Sequence, residues 1–341
     1  MTSHKIAVIK DTHLMFGFSN NIRKPAVSGQ SWSKDIELKL LFISEEMMKR
    51  GITKLVVTGD LLNHSDKNSW SFRKFLMNKE VLQNIFVEKG INIYSVQGNH
   101  DMFDGLKTTN NTVFGELCND GIINHLTENP IIIKAHEQFK IYGIDYNFTK
   151  EEQEASFQKI NDLSSEHEIT CVVSHTNISP NQEQFVDFTY NELSTKFPNI
   201  KVHICGHYHI GYEPKIVNGV VFINPWNMTR VVRDYQVKLD NHIPQLVFLN
   251  FNNFSTSDLN WVETVNIPHK PFVDAFNQET VSILEESEKF KFFEGVSEID
   301  LDIIAEDVDN DQLIRLIINK NIDNISDKEK LLVKTIEYLN S

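Results

Sequence analysis

The sequence predicts an α/β sandwich, with sheets inside and helices outside, followed by a small β-rich accessory region and a helical tail. Three observations carry this prediction. Over residues 5–209, short apolar runs alternate with stretches of helical period. Five of the apolar runs end in Asp, Asn or His. After His209 the alternation gives way to strand-like runs joined by polar turns, and from Pro271 onward to helical spacing.

The elements follow in order. Lys5–Ile9 is an apolar run and reads as the first strand. A long loop from Leu14 to about Ser33 carries Arg23, Lys24, Pro25 and Trp32, a basic and aromatic mix suited to gripping a phosphate backbone. Ser33 to Arg50 places Ile36, Leu40, Ile43 and Met47 on one helical face and stops at Gly51. A strand runs to Asp60, and the loop Leu61–Asp66 leads to a helix over about Trp70–Glu88. Ile91–Val96 is the next strand, and Thr112–Cys118 reads as a short helix. Short strands fill Ile122–Ile144, broken at Asn129-Pro130, before a helix over Glu151–Leu163. Strands at Thr170–Ser174 and Lys201–Cys205 complete the alternation. Val220–Ile223, Val231–Leu239, Gln245–Phe251 and Val262–Ile267 read as later strands, and Phe272–Lys289, Asp311–Ile318 and Asp327–Leu339 as helices. The expected organisation is therefore a core domain over 1–224, a β-rich accessory domain over 225–270 and a helical region over 271–341.

Composition sets bounds on function. The chain has 341 residues, 40% hydrophobic and 23% charged, as in ordinary globular proteins. No run is long enough to span a membrane, and a strand begins almost at the N-terminus, so no signal peptide is expected. Cys118, Cys171 and Cys205 have no disulfide spacing, which fits a reducing cytoplasm. The net charge of −14 argues against a polyanionic partner until its distribution is considered. From Lys270 on there are 17 acidic and 8 basic residues, a net of −9, which leaves −5 for the first 269. DNA binding by the front of the chain is therefore open.

The five strand ends read Asp11-Thr12-His13, Gly59-Asp60, Gly98-Asn99-His100-Asp101, Ser174-His175 and Gly206-His207-Tyr208-His209. A sheet whose strand ends share one edge would gather them, as ligand sites in α/β sheets do. Asp, Asn and His without thiolates favour Mn, Fe or Zn in a mixed oxygen and nitrogen shell. Asp11, His13, Asp60, Asn99, His175, His207 and His209 are more ligands than one ion needs, so two ions sharing one carboxylate is the expected solution. Such sites cleave phosphate esters by in-line displacement. His100 is the histidine left over, placed to serve the leaving oxygen.

These five blocks, in this order, resemble the calcineurin-like metallophosphoesterase superfamily. Within it the chain looks most like the nuclease subunit of the SbcCD type, including phage recombination nucleases. Asp11-Thr12-His13-Leu14, the long extension beyond His209, and Pro225-Trp226-Asn227-Met228-Thr229-Arg230 in place of a Pro-Gly-Ser-x-x-Arg block carry that likeness. The resemblance implies that Asp11, His13 and His209 hold one metal and Asn99, His175 and His207 the other, with Asp60 bridging. It further implies that His100 acts on the scissile phosphate and that Asp101 orients it. Two manganese ions, DNA as substrate, 3′-to-5′ exonuclease activity on double strands, endonuclease activity on single strands and a homodimer follow from the same likeness. So does a coiled-coil ATPase partner of the SbcC type, docked on the C-terminal helices. The divergence from the family pattern would suit a phage, acting in the host cytoplasm.

Three departures stand out. Lys10 directly precedes Asp11, where the family has a small residue; its charge is expected either to weaken the first metal or to touch phosphate. Asn63 stands three residues after Asp60, where relatives carry His or Asp, and His64 comes one later. Trp226 replaces the family glycine. His203 alternates with apolar neighbours and reads as structural, as do His125 and His136; His4, His167, His242 and His269 read as surface residues. Asp145 reads as a turn residue that could also support the site. The competing functions are a phosphatase or cyclic-nucleotide phosphodiesterase on a small substrate, and a scaffold that keeps the fold without the chemistry.

Overall fold

A computed structural model describes residues 4–14, 32–63, 72–102, 112–165, 168–182, 186–229 and 242–270. The expected helices of 271–341, the strand at Val231–Leu239, the loop bearing Arg23 and Lys24, and residues His64 and Arg230 lie outside these ranges.

The chain opens with β1 (Lys5–Ile9), α1 (Trp32–Lys49), β2 (Lys54–Val57), α2 (Phe72–Ile85) and β3 (Asn92–Ser95). It continues through α3 (Val113–Asn119), β4 (Ile123–His125), β5 (Ile131–Lys134), β6 (Gln138–Ile144), α4 (Lys150–Leu163) and β7 (Glu168–Ser174). Then come β8 (Ile178–Ser179), β9 (Phe188–Thr189), α5 (Tyr190–Lys196), β10 (Ile200–Cys205), β11 (Tyr212–Val217) and β12 (Val220–Asn224). β13 (Gln245–Asn250) and β14 (Val262–Asn266) close the described part.

Two six-stranded sheets result. The first has the order β14-β13-β1-β2-β3-β4 and the second β11-β12-β10-β7-β6-β5. The centre of each sheet is parallel: β1 to β4 in the first, and β6, β7, β10 and β12 in the second. Parallel neighbours point their C-terminal ends the same way, so the loops after β1, β2 and β3 share one rim, as do those after β7 and β10.

Burial follows from period two. Ile6, Val8 and Val56 of the first sheet face Val173, Val202, Ile204 and Ile223 of the second in one buried cluster. The alternate residues Val172, Cys205 and Phe222, with Ile200 before the register shift in β10, pack outward on Phe157 and Ile160 of α4 and Leu193 of α5. This is the predicted α/β sandwich, and both faces of the second sheet are covered. Thr112, Thr149 and Thr189 each accept a backbone N–H at the start of a helix, which fixes where α3, α4 and α5 begin.

The accessory domain expected over 225–270 is corrected. β13 pairs antiparallel with β1, Lys5 opposite Asn250, and β14 pairs with β13. The described strands of this region therefore extend the first sheet, within one compact unit. The helix α5 and strands β8, β9 and β11 were not expected from the sequence. Thr189 and Glu192 form a reciprocal capping box, so the Thr-x-x-Glu spacing was the available signal for α5.

His203 is structural, as expected. It is fully buried, stacks 5.1 Å from Phe222 at 6°, and burial holds its pKa down to about 3. Below the unfolded value near 6.5 the unfolded chain gains a proton that the folded chain refuses, so this residue makes stability fall as the pH drops from 6.5 toward 3. The expected slope is about 1.4 kcal/mol per pH unit. His203→Phe is expected to remove it, seen as a flatter dependence of Tm on pH over that interval.

Candidate metal centre

Each site residue sits just beyond a strand end, on backbone bent away from the strand. Asp11, His13, Asp60 and His207 all have positive φ, at 43°, 44°, 46° and 70°. These are four of the five non-glycine residues with positive φ among the described residues. Such conformations cost about 1–3 kcal/mol each and persist only where the surroundings enforce them. Here the enforcement is visible. His13 N–H donates to Asp60 O at 2.9 Å, Leu14 N–H to Leu61 O at 2.9 Å, and Asn63 N–H to Leu14 O at 3.0 Å, which locks the loop after β1 to the loop after β2. Thr12 Oγ1 donates to Leu61 O at 2.7 Å in the same seam.

Two motif glycines allow the close approach. A Cβ on Gly98 would lie 2.0 Å from Asp60 Oδ1, and one on Gly59 would lie 2.3 Å from His175 Nδ1. Gly59 also has φ of +99°, which only glycine adopts readily. Gly98→Ala is expected to push Asp60 out of place and weaken divalent-metal binding about 10–100-fold, measurable by titration calorimetry.

The structure brings all seven expected ligands together. His13, Asp60 and His209 form one group and Asp60, His175 and His207 another, with donor atoms in each group within 4.8 Å of one another. Asp60 belongs to both. Asp60 Oδ2 lies 3.7 Å from His13 Nε2 and 3.2 Å from His175 Nε2. Asp11 Oδ2 lies 3.9 Å from His209 Nε2, and Asn99 Oδ1 lies 3.1 Å from His175 Nε2.

These residues fit two divalent cations. Ligand bonds of about 2.0–2.2 Å place the donor atoms around one ion roughly 3 Å apart or slightly more, the range seen here. Asp11 Oδ2 is buried with no hydrogen-bond partner, a costly state for a carboxylate oxygen that a cation would relieve. Tautomers agree. His175 Nδ1 donates to Thr58 O at 2.8 Å, which turns Nε2 toward Asn99 and Asp60.

The electrostatics match. Burial raises the Asp11 pKa, although His175, Lys10 and His209 pull it down. Burial acts on Asp60 in the same direction, but the charges of His175 and His100 outweigh it and hold the carboxylate well below its ordinary range. For His175 burial opposes the charged form, yet Asp60 and Asp11 carry its pKa up to about 9. The two buried carboxylates thus favour the charged form of His175.

The loop Gly98–Asp101 behaves differently from expectation at one residue. His100 is 3% exposed; its Nδ1 donates to Asn63 O at 2.5 Å and its ring meets His13 edge-on at 4.6 Å. Its backbone N–H donates to Asp60 Oδ1 at 3.0 Å. Asp101 does not orient His100. Its carboxylate accepts from Leu61 N at 3.1 Å, Leu62 N at 2.9 Å and Gly98 N at 3.0 Å, so it pins the Asp60 loop to the Gly98 turn. Burial and nearby Asp60 push its pKa up to about 7 against those three donors. The residue orienting His100 is Asn63, through its main-chain carbonyl, which no side-chain reading of the sequence could supply.

Further supports were missed or understated. Asp145 Oδ1 accepts from Gln97 N at 2.7 Å, and His125 Nε2 bonds Asp145 Oδ2 at 2.9 Å. Gln97 Nε2 in turn donates to Asp101 O at 3.0 Å, so this pair steadies the loop bearing Asn99 and His100. The His125 ring stays largely buried and is tied to Asp145 in spite of that burial, which gives it a positioning role that its apolar neighbours hid. His242, expected at the surface, is fully buried with Nε2 3.0 Å from Asn227 O. The segment around Trp226 buttresses the site: Met228 N–H donates to Lys10 O at 2.7 Å and Thr229 Oγ1 to Thr12 O at 2.6 Å. Trp226 itself packs on Gly211, where a Cβ would meet Trp226 N at 2.4 Å. Lys10 is fully buried, and its ammonium is bonded to Asn224 Oδ1 and the Tyr208 carbonyl.

At the strand ends of a two-sheet sandwich, two His/Asp groups share Asp60, a donor set suited to two divalent ions. The family model for calcineurin-like phosphoesterases matches residues 4–211, and the chain belongs to that family of metal-dependent phosphoesterases. The family implies two divalent ions, which the two groups fit. Among solved structures, a dimetal phosphatase from Danio rerio aligns with TM-score 0.46 and 11% identity over 78% of this chain and 99% of its own. No curated protein sequence matches the chain. Among the described residues no helix is long and apolar enough to cross a membrane.

Proposed function

We propose that the chain is a two-metal DNA nuclease, the nuclease subunit of an SbcCD-type recombination complex. The observation that carries the reading is Asp60 shared between the two ligand groups, with His100 held beside it. Motif order and the continuation of the chain from 212 to 341 beyond the matched region support the subunit assignment. Manganese is the proposed metal, and DNA is the proposed substrate, cut 3′-to-5′ from duplex ends and endonucleolytically in single strands. A homodimer and a coiled-coil ATPase bound through 271–341 complete the proposal.

When bound, the two ions would supply Lewis-acid activation of water and neutralise charge building on the phosphate. The chain's own residues do the rest. Asp11, His13, Asp60, Asn99, His175, His207 and His209 set the donor geometry. The Asn63 carbonyl holds the Nδ1 proton of His100, so Nε2 is the atom that exchanges a proton with the departing 3′ oxygen. Asp101 and Asp145 keep the loop at that distance. Asn63, His64, Arg23, Lys24 and Arg230 are the proposed DNA contacts.

One observation favours a second reading, a phosphodiesterase on a small substrate: the net charge of −14 repels a polyanion. Mn²⁺-dependent degradation of end-labelled linear DNA, set against hydrolysis of bis-p-nitrophenyl phosphate, separates the two. DNA cleavage sustains the nuclease. Turnover of the small ester alone, with the ATPase partner present, moves the chain to the second reading.

A further inference from the structure

Among the described residues Lys10 is the largest charged side chain buried completely, and the phosphodiester chemistry above gives it no task. A lysine out of water is costly unless its ammonium is well bonded. Here it donates to Asn224 Oδ1 at 2.6 Å and, at still closer range, to the main-chain carbonyl of Tyr208. Asn224 ends β12 and is itself fixed, its Nδ2 donating to Ile178 O at 3.0 Å. The Lys10 carbonyl is held by Met228 N–H at 2.7 Å. Both ends of the residue are therefore anchored to the second half of the chain.

Tyr208 lies between His207 and His209, and these two histidines belong to different ligand groups. The backbone there is strained, with His207 at φ of 70° and Gly206 pressed against Thr58, where a Cβ would lie 2.2 Å from the Thr58 carbonyl. A strained turn that must present one imidazole to each ion needs an external hold on the peptide between them. The Tyr208 carbonyl is that peptide's acceptor, and the Lys10 ammonium is bonded to it.

We infer that Lys10 is a positioning residue for the metal centre: its buried ammonium grips the carbonyl between His207 and His209 and so sets how the two imidazoles are divided between the two ions. The proximity of this cation to Asp11 is then tolerated because the ammonium is turned onto neutral oxygens. The inference rests on the two-metal reading of the site and is independent of whether DNA is the substrate.

The test is Mn²⁺ titration by calorimetry of the full chain and of Lys10→Met and Lys10→Gln, with Tm recorded without metal. Wild-type titration reports on the metal centre itself, and the ratio of variant to wild type reports on Lys10. Lys10→Met keeps the length of the side chain and loses the donor, and is expected to weaken Mn²⁺ binding about 10–100-fold, as loss of a ligand-orienting contact does. Lys10→Gln keeps an N–H donor without the charge and is expected to lose less. Equal or tighter Mn²⁺ binding in both variants would show that the ammonium merely competes with the ions, and overturns the inference. So does a fall in metal-free Tm with wild-type Mn²⁺ affinity, which a purely structural lysine would give. If Lys10→Met does not fold, Asn224→Ala releases one side of the ammonium; weaker Mn²⁺ binding sustains the inference and unchanged binding overturns it.

Discussion

Asp60→Asn is expected to lower Mn²⁺-dependent phosphodiester hydrolysis about a thousandfold or more and to abolish the second equivalent of bound metal. The physical basis is that Asp60 is the one carboxylate in both ligand groups, with Oδ2 3.7 Å from His13 Nε2 and 3.2 Å from His175 Nε2. Asparagine has one oxygen and no charge. Two cations in neighbouring sites repel each other, and the shared anion offsets that repulsion. Lewis-acid assistance contributes several kcal/mol to such reactions, and about 4 kcal/mol corresponds to a thousandfold in rate. Fold should survive, because the backbone carbonyl still accepts His13 N–H and the asparagine Oδ1 can still accept the His100 N–H that Asp60 Oδ1 accepts. Calorimetric stoichiometry and kcat/KM on bis-p-nitrophenyl phosphate check the expectation together. Two equivalents of Mn²⁺ at wild-type affinity would remove Asp60 from the bridging position.

On the proposed nuclease reading, His100→Ala is expected to lower kcat on DNA by about 10²–10⁴, the usual worth of a positioned acid or base, while leaving two divalent ions bound, titrated as Mn²⁺. His100 is not in either ligand group, which is why metal stoichiometry should hold. Its Nδ1 is committed to Asn63 O, so the ring has one orientation and one nitrogen to offer. If it assists the leaving oxygen, the loss depends on the leaving group. DNA expels an alkoxide, which needs a proton; p-nitrophenolate leaves without one. The variant should therefore be far more impaired on DNA than on bis-p-nitrophenyl phosphate. Equal losses on both substrates would assign His100 to phosphate binding instead.

The metal centre was legible in the sequence because its ligands cluster at strand ends. Asp11, His13, Asp60, Asn99, His175, His207 and His209 each follow an apolar run within a few residues. Short range in sequence is where type and spacing carry information. The structure gathers them from two sheets, not one: the strand-end rims after β1, β2 and β3 and after β7 and β10 meet, with His175 Nδ1 on Thr58 O and Gly206 against Thr58.

What escaped the sequence is what main-chain atoms do. The His100 partner is the carbonyl of Asn63, the Asp101 partners are three backbone N–H groups, and the Lys10 ammonium rests on the carbonyl of Tyr208. Every residue carries a carbonyl and almost every one an N–H, so no residue type announces such a contact. The charge of Lys10 suggested conflict with the metals; the direction of its ammonium depends on where β12 and the His207–His209 turn lie relative to β1.

The fate of the later strands divides in the same way. Gln245–Asn250 and Val262–Asn266 were recognisable as strands from their own residues, yet their partner was not. β13 joins β1 across more than half the chain, and nothing local in either segment encodes that pairing. By itself the sequence determined most of the strand and helix types and the chemical class, and it put forward a ligand set, because these rest on periodicity and side-chain chemistry. Only the tertiary structure decided sheet order and the orientation of His100 and Lys10, because these rest on hydrogen bonds between segments distant in the chain.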